Sequence, residues 1–199
     1  MNYIKRVMGS ALCFLVFIAA PSFASDYELT PFIGQMFSSE LIGAESGENI
    51  SASNDMHVGL ALAWQDTPNG QGQILINAVS HDFANEASGL NQSLDIYYAH
   101  FSGVAQFRQQ NYVTTVSLGL GGAYFDANGG EELYPSLTAA FGTRYEIDTN
   151  LSLVTELRAY ASLTDDKNGV FCQAEACSAQ FDGAVWVDTA ISVGVAYKF

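Results

Sequence analysis

The stretch that decides the fold is the last nine residues, ISVGVAYKF (Ile191–Phe199). Every second side chain from Ile191 to Phe199 is apolar, and the residues between them are small or polar. Such strict alternation predicts a β-strand with one apolar face. Chain ends usually fray and are polar, so an apolar strand that continues to Phe199 indicates that this end is held within a sheet.

The same period of two recurs along the chain in segments of about ten residues, the length of a membrane-spanning strand. The regular segments are Asp55–Asp66, Val113–Phe125, Ser136–Ile147, Leu151–Leu163 and Val185–Phe199. Three further strands with blurred alternation are expected at Tyr27–Phe37, Gln73–His81 and Leu94–Phe107. The total is eight, an even number, as bacterial membrane barrels have.

The two faces of these strands differ in an unusual way. One face carries large apolar side chains, whereas the other is dominated by Gly, Ala, Ser and Thr. A water-soluble sandwich would instead bury its large apolar residues and expose Lys and Glu. The pattern therefore predicts an all-β fold, an eight-stranded antiparallel up-and-down transmembrane β-barrel, with apolar side chains in lipid and a filled lumen.

The first residues predict export. Lys5 and Arg6 precede an apolar run over 7–20, and Ser22-Phe23-Ala24 has small residues where a signal peptidase cleaves. Residues 1–24 are therefore expected to be a cleaved signal peptide, and 25–199 to form one outer-membrane β-barrel domain. A transmembrane helix is the alternative, but the run is shorter than the roughly 20 residues that span a bilayer.

The charge and the cysteine content limit which molecules and metal ions the protein could bind. Two of the 7 basic residues lie in the predicted signal, which leaves 5 against 21 acidic residues and a net charge of −16. Nucleic acid is excluded as a partner, because phosphate binding needs clustered Lys and Arg. Cys172 and Cys177 are expected to form a disulfide in an oxidising compartment. Zinc is the alternative, but no His or further Cys lies nearby; no metal or other cofactor is expected.

The connections alternate in length. Long extracellular loops are expected at Ser38–Asn54, Asp82–Gln92, Asp126–Tyr134 and Thr164–Ala184, and short periplasmic turns at Thr67–Gly72, Arg108–Asn111 and Asp148–Asn150. The long loops are acidic. We interpret them as a solvated rim, and weak Ca²⁺ or Mg²⁺ binding is left open because no EF-hand spacing is present.

The chain end also resembles a known signal. Ser192, Gly194, Tyr197 and Phe199 follow the order polar-x-Gly-x-x-aromatic-x-Phe, similar to the C-terminal assembly signal of bacterial outer-membrane β-barrels. ELTPFIG (28–34), SLDIYYAHFSG (93–103) and ELRAYASL (156–163) resemble a family of small outer-membrane β-barrel proteins across the mature chain. This resemblance implies location in the outer membrane, contact with lipid and lipopolysaccharide, and binding to the β-barrel assembly machinery. It implies no catalytic residues.

Four charged residues are expected inside the barrel. Arg144, Glu146, Glu156 and Arg158 share the inward face of two strands joined by a short turn. Cross-strand neighbours are within reach of long side chains, and buried charges need partners. We interpret the four residues as an ion-pair cluster that plugs the lumen. A gated pore or proton path is the alternative.

A second alternative is enzymatic. His100 and Ser102 form a His-x-Ser pair like that of outer-membrane lipid A deacylases, with Asp95 as a distant third member. The direction of the strand places His100 away from the outer leaflet, which argues against this activity. His57 and His81 show no ligand spacing and are expected to be lumen residues.

The sequence thus predicts a monomeric, non-enzymatic barrel of the outer membrane that stabilises the envelope or presents its loops. A narrow channel for small solutes and a lipid A-modifying enzyme remain the alternatives.

Overall fold

The computed structural model describes residues 27–43, 47, 49–50, 53–85, 90–110, 112–127, 130–164, 169–173 and 176–199. The predicted signal peptide, 1–24, lies outside the described residues. Among them, no helix is long and apolar enough to cross a membrane.

The described residues form twelve strands. They are β1 (Tyr27–Ser38), β2 (Leu41–Gly43), β3 (Asn49–Ile50), β4 (Asp55–Thr67), β5 (Gly70–Asn85), β6 (Leu90–Arg108), β7 (Tyr112–Ala127), β8 (Gly130–Glu146), β9 (Leu151–Leu163), β10 (Gly169–Gln173), β11 (Ala176–Phe181) and β12 (Val185–Lys198). Eight of them close into an antiparallel barrel in the order β1-β12-β9-β8-β7-β6-β5-β4. The eight-stranded barrel predicted from the alternation is confirmed.

The barrel has two different ends. At the turn end lie the three short turns, Tyr27 and Phe199, and at the loop end the hairpins are longer. The predicted bounds of the loops Asp82–Gln92 and Asp126–Tyr134 are wrong, since the strand pairing continues to Asn85↔Leu90 and to Ala127↔Gly130 and leaves shorter connections. These strand extensions contain several polar and glycine residues, so the alternation that identifies a strand is lost there while the backbone pairing continues.

The other two predicted loops contain a second sheet. Strands β10, β11, β2 and β3 form a four-stranded sheet in that order, which we call the outer sheet. Its pairing includes Phe181↔Leu41 between β11 and β2 and Leu41↔Ile50 between β2 and β3. The first and last long connections are therefore joined by backbone hydrogen bonds at the loop end.

The faces are oriented as the alternation predicts. Leu118 and Leu120 in the middle of β7 are 68% and 69% exposed, and similar apolar side chains surround the barrel. Ser102, Ser117, Thr138 and Ser162 point inward and are buried. An outward apolar band of this kind is solvated by lipid or detergent rather than by water.

The lumen is filled by different kinds of side chain along its length, which the sequence did not predict. Towards the loop end it is filled by large side chains, which we call the loop-end cluster: Met36, Leu41, Phe83, Phe125, Tyr134, Phe181 and Trp186. The ring of Phe125 makes edge contacts with those of Tyr134 and Phe181, at centroid distances of 5.2 and 5.9 Å. Phe181 and Leu41 belong to the outer sheet, so this cluster holds that sheet on the barrel.

Inward glycines make room for large neighbours. A Cβ at Gly59 would lie 2.2 Å from the ring of Phe32, and a Cβ at Gly34 would lie 2.6 Å from Nε2 of His57. Each glycine thus leaves a space that a side chain of the adjacent strand occupies. The lumen is filled by such cross-strand packing as well as by its polar residues.

An arginine in the apolar band tests the outward orientation. Leu118→Arg should lower the free energy of unfolding by about 2–4 kcal/mol in lipid vesicles, because its charge would lie at mid-depth in hydrocarbon. Urea unfolding followed by tryptophan fluorescence measures this change. Gln110→Arg, in an exposed turn, is the matched control and should change stability by less than about 0.5 kcal/mol. Equal stability of the two variants would contradict the assignment.

Candidate functional site

The turn-end half of the lumen holds a buried ion pair on β9. Nε of Arg158 donates to Oε1 of Glu156 at 2.8 Å, and its Nη1 donates to Oγ1 of Thr138 at 3.1 Å. The Arg158 side chain is 2% exposed. Because these residues are two apart on one strand, both face the lumen.

Arg144 has a different partner from the one expected. Its guanidinium donates to the carboxylate of Glu28 on β1, and both side chains are largely buried. The sequence did not identify Glu28, because the alternation of its strand is blurred by Phe32 and Met36. Its neighbour Thr30, also buried, marks the inward face in retrospect.

Glu146 lies apart from the other three. It pairs with Arg108 at 3.4 Å, and both side chains are 49% exposed at the turn end. The predicted four-residue cluster is therefore divided into three pairs, of which only Glu156–Arg158 lies within the predicted set. The pairing of β8 with β9 explains the division, because none of these charged residues lies directly opposite another. The register partners are Arg144 with Val154, Glu146 with Ser152 and Glu156 with Gly142.

The space around these charges is small. One cavity of about 40 Å³ is lined by Arg144, Glu156 and Arg158, and another of about 80 Å³ lies nearer the turns beside Glu28 and Arg108. Such volumes hold a few water molecules. Neither is a continuous passage.

A layer of aromatic and polar side chains fills the middle of the lumen. The rings of Tyr98 and Tyr160 stack at a centroid distance of 4.2 Å. The Tyr98 hydroxyl donates to Asp188, while Nδ2 of Asn77 donates to the Tyr160 hydroxyl at 3.2 Å. His57 Nδ1 in turn lies 2.9 Å from Oδ1 of Asn77. This layer separates the loop-end cluster from the ion pairs.

The His100–Ser102 pair does not have the geometry of a catalytic site. Both side chains are buried and face inward, but no hydrogen bond joins them. Asp95 occupies the opposite alternation of β6, so it faces away from His100. Asp95 therefore does not act as the acidic third member of a catalytic triad with His100 and Ser102.

A polar group at the loop end was not expected. Oγ of Ser38 lies 2.7 Å from Nε2 of His81, and Nδ1 of His81 lies 3.2 Å from Oδ2 of Asp55. His81 is indeed a buried lumen residue. The three residues come from β1, β5 and β4, which are neighbours in the sheet through the β1–β4 and β4–β5 pairings.

The residues of the predicted assembly signal lie on β12. Ser192 and Gly194 face inward opposite Gly34 and Phe32 of β1. Tyr197 and Phe199 face outward with ring centroids 6.5 Å apart. The Phe199 ring also stacks on Tyr27 at 6.3 Å, and its N–H donates to the Tyr27 carbonyl at 2.9 Å. In the closed barrel this end is thus fully paired.

The two cysteines lie at paired backbone positions of the outer sheet. Cys172 of β10 and Cys177 of β11 are register partners. Directly opposed residues of an antiparallel pair have Cα atoms about 4.5–5.5 Å apart, within the range of disulfides. Among the described residues, no group of three or more His, Cys, Asp or Glu side chains could hold a metal ion.

Comparison with known proteins identifies the fold. No family model and no curated protein sequence matches this chain. Among solved structures, OprG from Pseudomonas aeruginosa superposes with a TM-score of 0.60 at 11% identity, covering 88% of this chain and 96% of OprG. AlkL, solved in lipid bilayers, gives 0.58 at 15% identity over 100% of this chain and 96% of AlkL.

Neisserial surface protein A gives a TM-score of 0.55 at 13% identity, covering 87% of this chain and 97% of that protein. The chain has the fold of the small eight-stranded outer-membrane β-barrels. At these identities the likeness concerns fold alone.

Removing one partner of the buried Glu156–Arg158 pair should destabilise the protein. Glu156→Ala leaves the Arg158 charge buried without its carboxylate, and we expect the free energy of unfolding to fall by about 3–5 kcal/mol. Urea unfolding in vesicles measures this loss. The matched control is Glu146→Ala, whose exposed pair contributes at most about 1 kcal/mol. Similar losses in the two variants would show that burial of the Glu156–Arg158 pair is not what matters.

Proposed function

We propose that this protein is an integral, monomeric β-barrel of the bacterial outer membrane whose work is done by its loop end. The observation that carries the proposal is the outer sheet, in which two long connections are paired and packed on the loop-end cluster through Leu41 and Phe181. A barrel that only anchored itself would not need ordered connections. We infer that the outer sheet is presented to the cell exterior as an interaction surface, with the barrel as its support.

The membrane location is inferred from the surface and the fold. The outward apolar band surrounds the barrel, and the closed sheet leaves no unpaired edge strand in it. These are the two conditions for a sheet in lipid. Short turns face the periplasm in such barrels, and we therefore propose that the outer sheet lies outside the cell, beside the lipopolysaccharide.

The charge of the chain points to the chemistry of the partner. The chain has 21 acidic and 7 basic residues, two of the latter in the predicted signal peptide, so its charge disfavours polyanionic partners. Ail, which has the same fold at 13% identity and a TM-score of 0.53, was crystallised with the heparin analogue sucrose octasulfate. We propose the opposite preference here, for cationic peptides or proteins, since opposite charge accelerates and strengthens association.

A channel is disfavoured as the function. The lumen contains the loop-end cluster, the Tyr98–Tyr160 layer and the buried ion pairs in series. Eight strands leave an interior just wide enough for side chains. A filled lumen supports a structural role for the barrel.

Export, processing and the disulfide remain proposals. We propose cleavage after Ala24 and a Cys172–Cys177 disulfide that staples the β10–β11 hairpin. The register of that hairpin supports the disulfide. The intact mass of the purified protein reports both: it should correspond to residues 25–199 minus two hydrogens, and either discrepancy would refute the corresponding step.

Shortening the outer sheet tests the proposed surface role. A variant with 165–183 replaced by a short Gly-Ser turn keeps every barrel strand but loses β10 and β11, together with Asp165, Asp166, Glu175 and Asp182. We expect proteoliposomes of the wild type to bind a fluorescent oligolysine, and those of the variant to bind it at least ~10-fold more weakly. Retained folding is checked by the gel shift of unheated barrels.

Two further measurements complete this test. Binding should weaken as salt is raised from about 50 to 500 mM, since surface charges are screened, and a heparin analogue should not bind. Equal oligolysine binding by the two proteins, or preference for heparin, would refute the proposed surface. Stable single-channel steps from the wild type in planar bilayers would contradict the filled lumen.

The chain end is proposed to be read by the β-barrel assembly machinery before the barrel closes. An unpaired β12 offers a free hydrogen-bonding edge and outward aromatic rings. Phe199→Ala should therefore reduce the amount of folded barrel in the outer membrane several-fold, measured by heat-modifiable bands in membrane fractions. Leu153→Ala, another outward apolar residue, is the control and should leave assembly near the wild-type level. Equal yields would exclude the signal.

A further inference from the structure

We propose that Ser38, His81 and Asp55 form a serine hydrolase site at the loop end, acting on esters of apolar carboxylic acids. The proposal goes beyond the surface role and is independent of it. It also departs from the expectation of a non-enzymatic protein. The His100–Ser102 pair is not involved, since it lies deeper in the barrel and lacks hydrogen bonding between its members.

The first element is a serine placed against a base. Oγ of Ser38 lies 2.7 Å from Nε2 of His81, within the range required of a nucleophile and its general base. Ser38 is the last residue of β1 and is half-buried, while His81 is fully buried on β5. The serine is therefore the accessible member and the imidazole is shielded from water.

The second element is an acid that orients the base. Oδ2 of Asp55 lies 3.2 Å from Nδ1 of His81. Oδ2 also accepts hydrogen bonds from Oγ of Ser53 at 2.5 Å and from the backbone N–H of Asp82 at 3.4 Å. With Nδ1–H donating to Asp55, Nε2 keeps its lone pair towards Ser38, which is the tautomer that a general base needs.

Hydrogen bonds between Ser53 and Asp82 hold the Asp55 carboxylate in position. The N–H of Asp82 also donates to Oγ of Ser53 at 3.1 Å, and the N–H of Ser53 donates to the Asp82 carbonyl at 2.9 Å. This reciprocal pair ties the start of β4 to β5. Positioning of this kind is what separates a reactive triad from a chance contact.

One further carboxylate faces the serine. Asp188 lies opposite Ser38 in the β1–β12 register. Its carboxylate accepts a hydrogen bond from the Tyr98 hydroxyl. Among the residues that the structure describes, only Asp55 contacts Nδ1 of His81, so Asp55 and not Asp188 is the positioning residue.

The surroundings indicate the substrate class. Met36, Phe83 and Trp186 each lie two residues from a member of this polar group, on the same inward face of β1, β5 and β12. They are part of the buried loop-end cluster, so an acyl chain that reached Ser38 would exchange contacts between these apolar side chains for contacts with itself. The shared chemistry is a carboxylic ester with an apolar acyl group, supplied either by a membrane lipid or by a small free ester.

The reaction follows from these positions. Oγ of Ser38 attacks the ester carbonyl carbon, and its proton passes to Nε2 of His81. The carbon–oxygen bond to the alcohol then breaks, and His81 returns the proton to the departing alkoxide, leaving an acyl-Ser38. Water attacks the acyl carbon, gives a proton to His81, and the carboxylic acid leaves as Oγ regains its proton. Asp55 stays ionised throughout.

Covalent labelling tests the serine directly. The mature wild-type barrel, folded in detergent, should be labelled on Ser38 by a fluorophosphonate probe, with the site read by peptide mass spectrometry. Ser38→Ala should abolish labelling, and Ser39→Ala should preserve it. His81→Gln should slow labelling by ~10²–10⁴-fold, the usual contribution of a general base. Each variant is first confirmed as folded by its gel shift.

Steady-state hydrolysis separates catalysis from structure. With p-nitrophenyl octanoate, Asp55→Asn should lower kcat at least ~10-fold with little change in KM, whereas Asp66→Asn, at an exposed position near the other end of β4, should remain active. Release of fatty acid from phospholipid and lipopolysaccharide in proteoliposomes, set against hydrolysis of the free ester, distinguishes the two substrate sources; either activity supports the site. A folded wild type that neither takes the probe on Ser38 nor cleaves either ester would overturn the proposal, as would equal labelling of Ser38→Ala.

Discussion

Closing eight strands into a ring pairs the first strand with the last, and the rest of this molecule depends on that closure. Each barrel strand then has hydrogen-bonded neighbours on both sides, so its outward face can be apolar without exposing unpaired backbone groups. The same closure limits the interior to the width of side chains. The inward side chains, including the Glu156–Arg158 pair and the Tyr98–Tyr160 stack, fill this narrow space.

The lumen is filled with different chemistry along its length. Charges are paired near the turns, tyrosines and amides occupy the middle, and large apolar rings lie beneath the outer sheet. This order places the least polar packing below the part of the protein that we propose as its interaction surface. It also places Ser38 and His81 where polar strand ends and apolar rings meet, which is the setting of the hydrolase site that we propose.

The sequence predicted the strands well wherever one face was uniformly apolar. The bounds of β9 agree with the alternation, and β4 differs by one residue. Prediction failed where the barrel leaves its apolar band: the ends of β5 and β6 continue without alternation, and three-residue strands such as β2 carry no periodic signal. Side-chain partners were hidden for another reason. Glu28 meets Arg144 across 116 positions of the chain, and Ser38, His81 and Asp55 come from three neighbouring strands, so these contacts appear only once the pairing of the strands is known.

The outer sheet has a mechanical consequence. Strand β2 follows β1 directly and β11 precedes β12, so their pairing bridges the seam at which the two terminal barrel strands meet. Separating β1 from β12 would also require breaking the backbone hydrogen bonds between β2 and β11. It would further require removing Leu41 and Phe181 from their contacts with the loop-end cluster. The outer sheet therefore reinforces the pairing of β1 with β12, which can form only once the last strand of the chain is present.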